Sequence, residues 1–147
     1  LTSISVCLLE LEKYEEALKY IEEATKLEPM EPDAWVYLGE AYLELNKMAD
    51  SLKAYKRAIK IEPNLPESLM AMGNICMDME DAVSALKYYK QAYKYDHTLE
   101  FIELFVAVAS FYTGDFENVI HFMELAIQRN NDAVDMFIEL CPAAKEM

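Results

Sequence analysis

Apolar residues return along this chain at intervals of three and four. Tyr14, Ala17, Leu18, Ile21, Ala24 and Leu27 fall on one stripe of a helix, with Glu and Lys on the opposite side. No stretch alternates as a half-buried strand does. The spacing predicts helices over residues 1–11, 14–27, 33–45, 49–61, 67–79, 82–95, 99–112, 116–129 and 133–140. Asn46, the run from Asp78 to Asp81, and Gly114 fall in the turns between them.

The pattern also repeats with a period of 34 residues. Ala24, Ala58, Ala92 and Ala126 form one column, Leu18, Leu52, Leu86 and Ile120 another, and Ala17, Ser51, Ala85 and Val119 a third. In the other half of each repeat, Ile4, Leu38, Met72 and Val106 are all aliphatic, and Ser5, Gly39, Gly73 and Ala107 are all small. Small side chains there let two helices approach closely. Pro29 and Pro63 close the first two repeats, where His97 and Asn131 stand later. Pro32 and Pro66 open the next helices, where a missing N–H costs nothing. Each repeat is therefore two helices and two turns.

Trp35, Leu38, Gly39, Tyr42, Tyr55, Ala58 and Pro63 resemble the signature of the tetratricopeptide repeat, with Ser51 in place of one Ala. The third repeat keeps Leu69, Met72, Gly73, Ala85, Tyr89 and Ala92. In the fourth, Glu103 and Ser110 stand in the Trp and Tyr columns, and the turn from Thr113 to Asn118 again resembles the family's. Leu1 falls in the Trp column of a truncated first repeat.

The resemblance implies an all-α fold, an α-α superhelix or solenoid of stacked antiparallel helix pairs, about four repeats followed by a C-terminal helix. It reads as a single domain: a truncated repeat over 1–31, repeats over 32–65 and 66–99, a degenerate one over 100–131, and a capping helix or partial fifth repeat over 132–147. One hairpin cannot bury both its apolar faces, so repeats stack and share a core.

Charge narrows the function. Thirteen Lys and Arg against 27 Asp and Glu give a formal charge of −14, which repels phosphate backbones and anionic lipid, so no nucleic acid and no membrane are expected as partners. The most apolar window, Phe101 to Tyr112, is interrupted by Glu103 and is shorter than the ~20 residues of a membrane span. The chain starts at Leu1 without the features of a secretory signal, and reads as a piece of a longer protein. Cys7, Cys76 and Cys141 are odd in number and unmatched in spacing, which predicts thiols in a reducing, cytoplasmic setting.

Candidate chemistry is sparse. Each Cys falls at a packing position, and neither His97 nor His121 has a partner at metal-binding spacing. Asp78, Glu80 and Asp81 crowd one turn, without the Gly and distal Glu of a calcium loop. There is no Gly-rich phosphate loop and no Gly-x-Ser-x-Gly turn. No metal, cofactor or catalytic activity is expected, which leaves surface recognition.

In the family the resemblance points to, the first helix of each repeat lines a concave groove that receives a partner peptide or helix. Carried over, this places Val36, Tyr37, Glu40, Leu43 and Glu44 in the groove from the second repeat. The third contributes Met70, Ala71, Asn74, Met77 and Asp78, and the fourth Leu104, Phe105, Val108, Phe111 and Tyr112. None is basic, so the family's clamp for a C-terminal carboxylate is not expected. The groove is apolar, Met-rich and acidic, which suits a protein or peptide with hydrophobic anchors and basic flanks. Such an adaptor has rivals. The apolar fourth repeat also fits core burial or a homo-oligomer contact, and the chain also fits a regulatory or substrate-recruiting segment of a larger protein.

Overall fold

The computed structural model describes residues 2–146 and divides into two compact halves, residues 1–68 and 69–147, with the division inside the fifth helix. The Trp-column position Leu1 lies outside the described residues, as does Met147 of the tail.

In the N-terminal half, α1 (Thr2–Glu10), α2 (Tyr14–Leu27), α3 (Pro32–Glu44) and α4 (Met48–Ile61) each pack on the next in chain order. Ala17, Ile21, Leu38, Ala41 and Ala54 form the core, flanked by Leu8, Leu9, Leu18, Trp35, Tyr37 and Tyr42. Gly39 lies so close to α4 that an added Cβ would sit 2.9 Å from the ring of Tyr55. Its carbonyl accepts a 2.7 Å hydrogen bond from the buried Ser51 hydroxyl. That bond gives Ser51, where the adjacent repeats carry Ala17 and Ala85, a reason: it satisfies a polar group inside the helix crossing. Cys7, placed by its sequence neighbours at a packing position, is instead exposed on α1. Ile4 is likewise 49% exposed, unlike its column mates Leu38, Met72 and Val106.

The C-terminal half holds α5 (Pro66–Asp78, from Leu69 onward), α6 (Ala82–Tyr95), α7 (Ile102–Thr113), α8 (Phe116–Arg129), α9 (Ala133–Leu140) and a terminal 3-10 turn, Pro142–Glu146. Here α7 packs on α6, α8 and α9, which buries eight of its residues, including Ile102, Val106, Ala107 and Ala109. A helix apolar all round is thus explained by neighbours on three sides. It begins at Ile102 rather than 99. The Asp96 carboxylate accepts from the Thr98 backbone and hydroxyl, and Phe101 takes a left-handed φ of 63°, so the chain turns there before the helix starts.

The hairpin turns repeat in atomic detail. Glu12, Asn46, Glu80 and Gly114, each 34 apart, all have positive φ. In every case that residue's N–H reaches back three residues and the next N–H reaches back five, as in Asn46 to Leu43 and Lys47 to Tyr42. This is the helix-ending motif that favours Gly or Asn. The side chains of Asp81 and Asp115 then cap α6 and α8 by accepting from the backbone of Ser84 and Asn118. No strand and no metal-binding group of His, Cys, Asp and Glu occurs among the described residues. Nor is any described helix long and apolar enough to cross a membrane.

Candidate functional site

Cys76 and Cys141 are buried. Burial pushes the Cys141 thiol up to about 11, against the smaller opposing effect of the nearby Tyr112 hydroxyl, so it is poorly placed for nucleophilic chemistry.

On α3, Val36, Tyr37 and Leu43 are half-buried while Glu40 and Glu44 are exposed. Tyr37 leans on the core of its half, which leaves only part of its ring for a ligand. Partial desolvation of its carboxyl first, then the charges of Glu67 and Glu44, raise the pKa of Glu40. The folded state therefore holds the Glu40 proton more tightly than the unfolded chain, and stability falls as pH rises through this group's range. Glu40→Gln is expected to raise the thermal midpoint at neutral pH. That advantage should fade as pH drops through the carboxylate range, which melting curves of both proteins at neutral and acidic pH will show.

The C-terminal half contains the larger feature, a cavity of about 700 Å³ between α5, α6, α7 and the end of α9. The α5 residues Asn74, Met77 and Asp78 and the α7 residues Phe105, Val108 and Tyr112 meet there. Tyr89 comes up from α6. Its ring is 2% exposed and stacks on Phe105 with centroids 5.6 Å apart and planes 17° apart. Its hydroxyl donates a 2.5 Å hydrogen bond to Asn74 Oδ1. Burial, followed by the charge of Asp78, raises the pKa of Tyr89, so that hydroxyl stays neutral. At one end the Tyr112 hydroxyl donates to the Leu140 carbonyl at 3.0 Å, tying the tail helix to α7 beside the opening.

Leu104, Phe111, Met70 and Ala71 are not among the residues that line this cavity. Leu104 is 1% exposed and faces α8 and α9 beside Ala126 and Ala133, where only a gap of about 20 Å³ remains. Phe111 packs edge-on to Phe116 of α8 and Phe137 of α9, so it fastens helices together. Met70 is half-buried on α5 and does not line the cavity. Conversely, Glu80, Ala82, Tyr89 and Leu140 line the cavity without having been placed in the groove. Tyr89 carried a signal, since it shares the 34-residue register with Tyr55.

The sequence matches two tetratricopeptide repeat family models, over residues 8–66 and 66–97. No curated protein matches it significantly. Among solved structures, the fold is similar to the crystal structure of MamA protein, with a TM-score of 0.80 at 13% identity, covering 90% of this chain and 73% of that one. The first tetratricopeptide repeat module of Spaghetti (RPAP3), bound to an HSP90 peptide, gives a TM-score of 0.72 at 15% identity, covering 76% and 89%. The Yersinia enterocolitica type III secretion chaperone SycD, in complex with a peptide of the translocator YopD, gives 0.70 at 13% identity, covering 76% and 90%. At these identities the likeness is one of fold, an all-α helical-repeat solenoid. The two adjoining family models cover residues 8–97, more than half of the sequence, and the hairpin turns keep the same register beyond them: the chain belongs to the tetratricopeptide repeat family.

Proposed function

We propose that this chain is a protein-interaction module that holds a peptide or helix of a partner protein in the cavity of its C-terminal half. The observation that carries the reading is that cavity itself, in which aromatic and Met side chains from the first helices of two repeats meet acidic residues, with no basic residue in the lining. Family membership supports it, as do the peptides held by the RPAP3 and SycD modules. The partner differs in chemistry from the HSP90 peptide SRMEEVD, whose three carboxylate side chains the Asp78 and Glu80 carboxylates would repel. Hydrophobic anchors with basic flanks fit instead.

Panning a random peptide library on the intact chain and on Met77→Glu tests this. Peptides retained by the parent are expected to be lost from the variant, with both proteins melting alike. Equal retention by both would remove the cavity as the binding site.

A second reading, self-association, is favoured by one observation. Phe116, Ile120 and Ile127 line up along α8 and are 48%, 62% and 42% exposed. The formal charge of −14 opposes it. A light-scattering mass above that of one chain at high concentration would support it.

A further inference from the structure

We infer that the cavity of the C-terminal half is a receptor for a cationic side chain of the bound segment, arginine above all. The inference rests on the peptide-binding reading and names the group that enters. Its stem lies against Met77, Val108 and Phe105, and its guanidinium meets the carboxylates of Asp78 and Glu80.

Electrostatics ranks the possible occupants. An acidic side chain is repelled by both carboxylates. A purely apolar one suits the walls but leaves both exposed carboxylates without a counter-charge. A cation on an apolar stem satisfies both the walls and the rim.

The aromatic content favours the same ligand. Phe105, half-buried and backed by the buried Tyr89 ring that the Asn74 hydrogen bond holds, offers a fixed ring surface to a cation. The Asn74 oxygen is already occupied by the Tyr89 hydroxyl, so Asn74 presents its N–H₂ group, a donor suited to a peptide carbonyl. The charge of Asp78 is felt at the Tyr89 hydroxyl, which puts negative potential beside the aromatic pair. Glu80 is presented from a tight turn, fixed by its N–H bond to the Met77 carbonyl and by that from Asp81 to Cys76. It keeps a left-handed φ of 60° at a position where the fourth repeat has Gly114. A planar guanidinium stacks on rings and meets two carboxylates in ways an ammonium does not, hence arginine before lysine.

The probes are peptides recovered from a random library panned on the intact chain, resynthesised with each Arg replaced by citrulline, its neutral isostere. Fluorescence anisotropy compares both forms on the parent and on Asp78→Asn/Glu80→Gln. These side chains are exposed, so the variant should melt like the parent, and Asp78→Asn alone provides a second version. At one Arg position, citrulline is expected to weaken binding to the parent at least about tenfold and binding to the variant less than about twofold. Recovered peptides without a shared basic position, or an equal citrulline loss on both proteins, would overturn the cation site and leave peptide binding standing. No recovered peptide at all would overturn both.

Discussion

Replacing Arg129 with methionine is expected to lower the unfolding free energy by about 2–3 kcal/mol, which for a chain of this size moves the thermal midpoint by roughly 8 °C. The Arg129 Nη1 group lies 2.7 Å from both carboxylate oxygens of Glu103, which is 5% exposed. The same guanidinium donates to the His97 and Thr98 carbonyls at 2.9 and 3.0 Å. Methionine keeps the apolar stem, strands a buried carboxylate and unties the turn before α7. Removing one partner of a fully dry pair costs about 3–5 kcal/mol. Here the Arg129 side chain is 39% exposed, so water softens the loss.

The double variant Glu103→Leu/Arg129→Met isolates the cause. Leucine is the residue at the equivalent position of the third repeat, where Leu69 is 1% exposed. With no charge left to strand, the double variant is expected to be more stable than Arg129→Met alone. Denaturant unfolding of the three proteins reads this directly, and a double variant less stable than the single one would refute the buried-charge account.

Glu103 also shows where sequence reasoning stops. At the Trp column it looks like decay of the repeat signature. In the second repeat the Trp35 indole N–H donates to the Pro29 carbonyl at 2.9 Å, pinning the preceding turn. His97 is the residue in register with Pro29, and its carbonyl is pinned by Arg129, itself held by Glu103. The task is conserved between the two repeats while the chemistry is exchanged. Residue spacing announces a Trp at its column, but nothing in a one-dimensional pattern links Glu103 with a base 26 residues later.

The helices and their register were legible because packing forces them on the sequence: apolar stripes mark buried faces, and small residues mark the crossings. The site was legible in part. First-helix positions Asn74, Met77, Phe105 and Val108 do line the cavity. Leu104 and Phe111 do not, because α7, with apolar residues on nearly every side, gives no sign of which face meets α6, α8 or α9. Tyr89, Glu80 and Leu140 come from a second helix, a turn and the tail, and only folding brings them to α5 and α7. The left-handed column of Glu12, Asn46, Glu80 and Gly114 was half visible, in Asn and Gly; the Glu pair hides it.

Gly73→Ala is the second large effect, and it reaches the cavity as well as the fold. In an ordinary exposed helix, Gly to Ala stabilises by about 0.5–1 kcal/mol. At Gly73 an added Cβ collides with the ring of Tyr89, a tighter approach than Gly39 makes to Tyr55. The Tyr89 ring is buried, stacked on Phe105 and hydrogen-bonded to Asn74, so it has no easy retreat. Overpacking of this kind costs about 1–3 kcal/mol, which outweighs the helix gain, and leucine at Gly73 or Gly39 should sit at the upper end. The thermal midpoint is expected to fall, and any peptide held by the cavity should bind more weakly because its aromatic floor has moved. Combining Gly73→Ala with Tyr89→Leu makes room for the methyl group. Its cost in denaturant unfolding should be smaller than the sum of the two single costs. Strict additivity would mean that the Gly73–Tyr89 contact is not what fixes this crossing, and an unchanged midpoint for Gly73→Leu would mean that α5 and α6 are not paired as described.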